Sequence, residues 1–366
     1  PSVDADRRAH GARGGIALQI LDSSAVLLPE RFRGLRLRRP TGFTQAGSLP
    51  HDARTLPPAG GRRQGSDTLV QMEISLKPAR SRYLSVRGLR YHLREWGPEG
   101  APKLFMLHGW MDVSASFQFI VDALEADWHV IAPDWRGFGL TEWRGDSYWF
   151  PDYLGDLDAI ARSLAPDEPL RLVGHSLGGN VASLYAGVRP ARVSHVVALD
   201  AFGLADTQPG QSPGRLEKWL HELERPVSFR AYPDRQALAA RLMADNPRLT
   251  AARAAFLAGH LGVASEEGGV RLVGDPAHRR VNPVLYRRAE AMAAWRRVVA
   301  PVLWVEPAEP ELRRKLGVSD AAHAEARACF ADFREVQVAE CGHNLHHDQP
   351  DVVARIIEPF LLSKGS

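Results

Sequence analysis

The chain has 366 residues, 45% of them hydrophobic, which is enough to bury the core of one large domain with an insertion or of two domains. No apolar run approaches the roughly 20 residues of a membrane-spanning helix, so we expect a soluble protein. The two cysteines, Cys329 and Cys341, make no disulfide framework and no metal-type spacing, which favours a reducing, cytoplasmic location.

Residues 1–71 differ in composition from the rest of the chain. They contain no Lys, Met, Trp or Tyr, and their 11 Arg against six acidic residues give +5, whereas the whole chain carries +3, which leaves −2 for residues 72–366. The body of the protein therefore lacks the basic charge of a nucleic-acid-binding surface. Without apolar periodicity or a signal-peptide pattern, the segment is predicted to be disordered, or to be upstream translation before a start at Met72. A basic regulatory arm is the alternative.

After Met72, buried apolar runs alternate with segments of helical spacing. The predicted elements are strands at 83–86, 89–96 and 103–107, a helix at 114–124, a strand at 130–132, a helix at 153–164, a strand at 170–173, a helix at 180–188 and a strand at 193–199. This alternation predicts an α/β fold with a doubly wound, mostly parallel sheet, in which active residues follow the carboxyl ends of strands.

The pattern changes in residues 203–297, which are predicted to form a helical cap inserted between two parts of the core, 72–202 and 298–366. Apolar residues recur there at helical spacing, for example at Leu216, Trp219, Leu220 and Leu223. The core then resumes with a strand at 301–305, a helix at 321–330, a strand at 336–339 and an amphipathic helix that closes the chain.

The stretch Gly174-His175-Ser176-Leu177-Gly178-Gly179 lies between a buried strand and a helix. A chain that turns this sharply around a serine projects the hydroxyl into a cleft, and it needs glycines where a Cβ would meet a neighbouring element. The amides that open the following helix point towards a reacting carbonyl. Ser176 is therefore the predicted nucleophile of a nucleophile elbow.

Four motifs together resemble the α/β-hydrolase superfamily: HGW at 108–110, DWRGFG at 134–139, GHSLGG at 174–179 and GHNLHHDQP at 342–350. The resemblance covers residues 83–362 and is greatest to the capped, epoxide-hydrolase-like branch, although Ser176 stands where epoxide hydrolases and haloalkane dehalogenases carry Asp. It implies hydrolysis of an ester or related acyl bond of a small, largely apolar substrate through an acyl-serine intermediate, without metal or organic cofactor.

The other two members of the catalytic triad lie C-terminal to the serine. His343 is the predicted base, because it follows a strand and a glycine and completes the order serine, acid, histidine. Asp200, at the end of the strand before the cap, is the preferred acid. Glu309 is the alternative, since it follows the strand after the cap, where many family members carry the acid in a Gly-x-x-Asp turn that is missing here.

The resemblance also implies an oxyanion hole made by the backbone N–H groups of Trp110 and Leu177. The predicted substrate pocket comprises His108, Gly109, Trp110 and His175. Asp134 and Arg136 are expected to brace the neighbouring loop rather than contact substrate. Further aromatic candidates for an apolar pocket, although aromatic residues are more often core, are Phe117, Trp143, Tyr148 and Trp149.

Two questions stay open at the level of sequence. His346, His347 and Asp348 could bind a metal, but three such donors in one loop are more often solvated or helix-capping, so no metal is predicted. The same motifs also suit a carbon–carbon bond hydrolase, an acyltransferase or perhydrolase, or a ligand receptor with little turnover, because the cap decides the substrate. The predicted partner is a small-molecule acyl substrate, with no nucleic acid and no membrane.

If residues 1–71 contribute nothing to the core, a chain that begins at Met72 will keep the melting temperature and activity of the full chain. Calorimetry of the two chains side by side tests this. A loss of several degrees on truncation would show that the segment packs on the domain.

Overall fold

The computed structural model describes residues 76–143 and 147–363, so the predictions for residues 1–71 lie outside the described residues. An eight-stranded sheet with the order β1-β2-β4-β3-β5-β6-β9-β10 runs through the molecule. Its strands are β1 (Ala79–Val86), β2 (Leu89–Trp96), β3 (Lys103–Leu107), β4 (His129–Pro133), β5 (Leu170–His175), β6 (Val193–Leu199), β9 (Val302–Pro307) and β10 (Phe333–Val338). Strand β2 pairs antiparallel with β1 and β4, and the other neighbours pair parallel.

Helices connect these strands and cover both faces of the sheet, so the predicted α/β fold with a mostly parallel sheet is confirmed. A short 3-10 segment, Ser114–Phe117, leads into the first helix. The helices of the core are α1 (Gln118–Ala123), α2 (Phe150–Leu164), α3 (Leu177–Val188), α8 (Glu311–Lys315), α9 (Asp320–Arg327), α10 (Leu345–Asp348) and α11 (Pro350–Leu362). The sequence pattern gave no sign of α8.

Alternate residues of the central strands enter two separate cores, because side chains of a strand point to opposite faces in turn. Val196 and Ala198 of β6 pack with α2 and α3 on one face. Val197 and Leu199 pack with α1 and α11 on the other. Both faces are apolar, which explains why the strand reads as a continuous hydrophobic run.

The segment between β6 and β9 holds four helices and one small hairpin. They are α4 (Ser212–Leu223), α5 (Arg235–Asp245), α6 (Ala251–Leu261), the antiparallel pair β7 (Gly262–Ala264) and β8 (Val270–Leu272), and α7 (Arg288–Trp295). The predicted cap is thus not purely helical. Helix α7 lies within the predicted cap range, yet its Ala291 and Trp295 pack in the same core as α3.

Helix α4 has an unexpected orientation. Its three leucines, Leu216, Leu220 and Leu223, are 39–54% exposed, whereas Arg215 is only 8% exposed. Full burial of a leucine contributes about 1.5–3 kcal/mol, and each of these side chains forgoes part of it, so hydrophobicity alone would turn this helix the other way. The apolar spacing correctly predicted a helix here, but the face that it predicted to be buried is the exposed one.

Asp134, at the end of β4, ties together two loops at the carboxyl edge of the sheet. Its carboxylate accepts hydrogen bonds from Ser114 N (2.7 Å) and Leu140 N (2.9 Å), and from His92 Nδ1 (2.7 Å). Burial by itself would raise the pKa of Asp134, but the hydrogen bond and charge of His92 and the charge of His108 outweigh it and lower the pKa to about 2. Asp134 therefore braces the loop, as predicted.

Arg136 is held in the same loop by an ion pair with a helix. Its Nε and Nη2 atoms donate to the two oxygens of the buried Asp156 on α2, at 2.5 and 2.6 Å. Tyr91 Oη donates to the same carboxylate at 2.6 Å and accepts from Arg136 N. This network fixes the loop after β4 against α2, which agrees with a structural role for Arg136.

No helix in the described ranges is both long and apolar enough to cross a bilayer. A cytoplasmic location stays a prediction.

Asp134→Asn should destabilise the fold by about 2 kcal/mol at pH 7, because an amide cannot accept from all three donors. The folded pKa of Asp134 is depressed, so its contribution is full above the ordinary Asp pKa near 4 and fades as the pH falls towards 2. Urea unfolding of both proteins at several pH values tests this. A stability difference that stays constant down to pH 2.5 would contradict it.

Candidate active site

Ser176 sits between β5 and α3 in a strained backbone conformation. Its φ of 49° and ψ of −113° lie in a region that residues with a Cβ rarely adopt. The turn is held on both sides, since Ser176 N donates to Leu199 O at 3.0 Å and Asn180 N donates to Ser176 O at 3.0 Å. The local geometry is that of the predicted elbow.

Two glycines let the elbow approach its neighbours. A Cβ on Gly174 would lie 2.4 Å from the backbone of Gly178, and a Cβ on Gly178 would lie 2.0 Å from Leu107 O at the end of β3. Real Cβ atoms do not come this close to backbone atoms. Helix α3 is therefore pressed against both β5 and β3, and this contact requires glycine at both positions.

His343 follows β10 and lies against Asp200, which follows β6. His343 Nδ1 donates to Asp200 Oδ2 over 2.7 Å, and Asp200 is 3% exposed. Asp200 also has a positive φ of 45°, and its N–H donates to Val305 O at 2.9 Å. The second carboxylate oxygen, Oδ1, has no hydrogen-bond partner among the described residues. Ser176 and His343 line the same cavity.

The alternative acid, Glu309, lies elsewhere. Its side chain is 73% exposed and pairs with Arg314 at 3.1 Å, and it does not line the cavity. The buried carboxylate at the end of β9 is Glu306, which accepts from His323 Nε2 at 2.8 Å rather than contacting His343. The structure thus brings His343 to the first of the two candidate acids and leaves the second on the surface.

Of the four predicted pocket residues, Trp110 and His175 line the cavity, whereas His108 and Gly109 do not. His108 is fully buried: its Nε2 accepts from Trp135 N at 2.9 Å, and its Nδ1 donates to Gly109 O at 2.7 Å. It supports the loop instead of facing a ligand. A Cβ on Gly109 would lie 2.8 Å from His175 Nδ1, so this glycine lets the loop pass close to the elbow.

The two predicted oxyanion donors, Trp110 and Leu177, both line the cavity beside Ser176. Leu177 opens α3, and the first amides of a helix have no acceptor within the helix. Among the other aromatic candidates, Tyr148 and Trp149 line the cavity. Phe117 is fully buried in the core, and Trp143 is 44% exposed at the surface.

The cavity has a volume of about 960 Å³, near the upper end of the usual range for small-molecule sites. Its lining residues come from the segments that follow the core strands and from the segment between β6 and β9. Apolar side chains from both parts contribute to its wall, among them Trp110, Trp149, Leu184, Leu257, Leu261 and Tyr286. Asn180 Oδ1 accepts from Gly203 N at 2.8 Å and so ties the start of the cap segment to α3.

A cluster of buried histidines lies next to His343. His175 Nε2 donates to His343 O at 2.9 Å, and the His175 and His346 rings are 4.2 Å apart. Burial, reinforced by the nearby His346, lowers the pKa of both His175 and His347 well below the ordinary value, so both are neutral at pH 7. These neutral rings pack around the loop that carries His343.

Part of this cluster could hold a metal ion. Asp112, His346 and His347 offer ligand atoms that all lie within 4.8 Å of one another. Asp348, which the sequence offered as a third donor beside the two histidines, instead accepts from Gly342 N at 2.8 Å and Asn246 Nδ2 at 2.7 Å. Asp112 was missed because it follows the HGW motif, far from the histidines in sequence. A second such group comprises Glu306, His323 and Glu335. The prediction of no metal stays a prediction.

Cys341 lies close to this loop, but its thiol is not in the reactive, deprotonated form. It is buried, its Sγ donates to Val338 O, and burial raises its pKa to about 11. The group is therefore a neutral thiol at pH 7.

Comparisons with known proteins add to this geometry. The family model described as alpha/beta hydrolase fold matches residues 102–253. A serine hydrolase-like protein of Danio rerio is 27% identical over 73% of this chain and 83% of its own. The 2-(acetamidomethylene)succinate hydrolase of Mesorhizobium japonicum is 28% identical over 77% and 95%. A thioesterase domain from the curacin biosynthetic pathway superposes with a TM-score of 0.70 at 23% identity, over 77% of this chain and 99% of that one, which shows the fold alone.

Asp200→Asn should lower hydrolytic turnover by roughly 10³- to 10⁴-fold, because an amide no longer holds His343 in the tautomer that accepts a proton from serine. Glu309→Gln is the matched control, since it makes the same carboxylate-to-amide change on the surface, and it should stay within a few-fold of the parent. Steady-state kinetics of both variants gives the comparison. The reverse ranking would assign the acid to Glu309.

Proposed function

We propose that this hydrolase of the α/β-hydrolase superfamily cleaves an ester or related acyl bond through an acyl-Ser176 intermediate. One observation carries the proposal. The strained Ser176 shares a cavity with His343, and the Nδ1 of that histidine is held by the buried Asp200. The relatives named for hydrolase activity support the same reaction class.

In the proposed mechanism, Asp200 fixes His343 with its proton on Nδ1, which leaves Nε2 free to accept the Ser176 proton. Ser176 Oγ then attacks the carbonyl carbon of the substrate. The C–O bond to the leaving group breaks as His343 returns the proton to that group. A water molecule, deprotonated in the same way, releases the acid and restores the serine.

The negative charge that develops on the carbonyl oxygen requires donors that are in place before the reaction. We assign this role to the N–H groups of Trp110, in the loop after β3, and of Leu177, the first residue of α3. The close packing of α3 against β3, which Gly178 permits, supports the assignment because it brings the loop after β3 and the start of α3 together. Fixed donors of this kind lower the barrier by about 3–4 kcal/mol each.

The substrate is a small molecule, and we propose that its acyl or alcohol portion is largely apolar. The volume of about 960 Å³ and the tryptophan, leucine and tyrosine side chains in the wall support this. The substrate would reach Ser176 through a space that the cap segment encloses, so the cap sets the chain length and the branching that the site accepts.

Two alternative reactions use the same constellation: hydrolysis of a carbon–carbon bond and acyl transfer to an acceptor other than water. A fluorophosphonate probe followed by a panel of esters graded by acyl length separates them from the proposed function. Labelling with ester turnover supports it. Labelling without ester turnover favours the carbon–carbon hydrolase, and preferential product formation with an added alcohol or peroxide favours acyl transfer. Absence of labelling would favour a ligand receptor.

Ser176→Ala should abolish probe labelling and lower ester turnover by up to about 10⁶-fold, because no other group on the elbow can form the acyl intermediate. Ser183→Ala is the matched control: it removes a buried hydroxyl from the same helix, outside the cavity, and should keep the labelling.

Ligand binding distinguishes a lost nucleophile from a damaged fold. A product analogue that fills the cavity should raise the melting temperature of Ser176→Ala as much as that of the parent, since binding does not require the hydroxyl. Retention of most ester turnover in Ser176→Ala would overturn the proposed mechanism.

A further inference from the structure

Arg215 is a largely buried cation whose charge is not balanced by any of the described residues. It lies in α4, is 8% exposed, and lines the same cavity as Ser176. Its Nε donates to Asn282 O, but its Nη atoms have no hydrogen-bond partner and its charge has no ion-pair partner among the described residues. Burial alone lowers the pKa of Arg215, with no nearby carboxylate acting in the opposite direction. Its Nη atoms keep some solvent contact inside the cavity, where an anionic partner would stabilise a cation that is held this far from bulk water.

The carboxylates that also line the cavity are engaged elsewhere or exposed. Asp206 accepts from Arg288 N at 2.9 Å, and Asp245 pairs with Arg241 at 2.8 Å. Asp112 accepts from Val113 N at 2.9 Å and from Ser116 Oγ at 2.7 Å, and Glu290 is exposed. Among the described residues, the cavity therefore supplies no free carboxylate for Arg215.

The buried Arg288 shows how this fold satisfies a structural arginine. Its two Nη atoms donate to backbone carbonyls, with Leu204 O at 2.8 Å and Ala322 O at 2.7 Å. In the part of the chain that the structure describes, Arg215 has no such set of acceptors for its Nη atoms. Arg288 therefore stabilises the core through its Nη atoms, whereas Arg215 lines the cavity with its Nη atoms free to bind a ligand.

The orientation of α4 supports the same conclusion. The helix turns Arg215 inward while Leu216, Leu220 and Leu223 stay exposed, which is opposite to the hydrophobic preference. Arg215 also lies near the positive N-terminal end of the helix, and the first turn carries no acidic residue. A helix that buries an arginine while its leucines stay exposed breaks the usual hydrophobic pattern, and such exceptions are expected at functional sites.

We propose that Arg215 binds an oxyanion group of the substrate, a carboxylate or phosphate remote from the bond that is cleaved. The inference rests on the proposed acyl hydrolysis at Ser176 and specifies its substrate class: an ester with an apolar chain that ends in an anion. The guanidinium donates two parallel hydrogen bonds to such a group, and the apolar wall binds the chain between the two ends. Arg215 is thus a specificity-determining residue of the cap.

The test uses pairs of aryl esters whose acyl chains have equal length and end either in a carboxylate or in a methyl group. A series from short to long chains is needed, because only one length range can span from Ser176 to Arg215. For the parent protein we expect kcat/KM to favour the carboxylate-ended ester by about 10- to 100-fold at an optimal length. A third set of esters, which end in a phosphate, identifies the anion. If kcat/KM is higher for the phosphate-ended ester than for the carboxylate-ended ester, the site binds phosphate.

Arg215→Gln should bring the ratio of the two kcat/KM values to about one at the optimal length, and Arg215→Lys should retain part of it. Lys218→Gln is the matched control, because it removes a positive charge from the same helix outside the cavity, and it should keep the ratio. Comparing a ratio within each variant separates the anion contact from general changes in activity or folding.

The outcomes distinguish this inference from the proposed function. Equal kcat/KM for charged and neutral esters at every length in the parent protein would overturn the anion site and leave acyl hydrolysis standing. Failure of all esters would overturn the proposed function instead. In that case, the melting temperature is measured with and without monoamides of dicarboxylic acids, which test the anion contact without turnover. If these compounds stabilise the parent protein but not Arg215→Gln, the anion site is supported. If they do not stabilise the parent protein, the anion site is overturned.

Discussion

The approach of α3 to β5 and β3 is the constraint on which the site depends. It is possible because Gly174 and Gly178 lack side chains, and it forces Ser176 into a backbone conformation with φ of 49°. Such strain costs on the order of 1–3 kcal/mol and persists only where the surrounding structure fixes it. Here the parallel strands on both sides and the apolar cores on both faces supply that restraint, so the hydroxyl stays in the cavity rather than along the sheet.

The remaining polar groups of the site follow from the parallel arrangement of the strands. The segments after β3, β4, β5, β6 and β10 all leave the same edge of the sheet, and each carries one of the groups discussed above. Asp134 and the fully buried His108 fix the loops without facing the cavity, while Asp200 after β6 and His343 after β10 meet across the end of β9. The site therefore separates residues that hold loops in place from residues that can reach a ligand.

The cap segment contributes a different kind of information. The core explains where an acyl bond would be cleaved, but it does not restrict what is attached to that bond. The wall that extends into the cap is mainly apolar, and Arg215 lines it as a cation with no ion-pair partner among the described residues. An apolar wall recognises size and shape, and a guanidinium recognises charge, so together they define a narrower class of substrate than the core alone.

Local sequence patterns were enough to predict the sheet and the elbow and to identify Ser176, Asp200 and His343 as candidates, because these depend on buried apolar runs, glycines at fixed spacing and polar residues directly after strands. The choice of the acid that contacts His343 needed the folded structure, since Asp200 and Glu309 both follow strands and only the packing of β6, β9 and β10 places one of them in contact. The folded structure also decided that His108 faces inward, that Asp112 joins the histidines, and that α4 buries Arg215. Helical periodicity identifies a face but not the neighbour that the face will meet, and for α4 the neighbour is a cavity rather than a core.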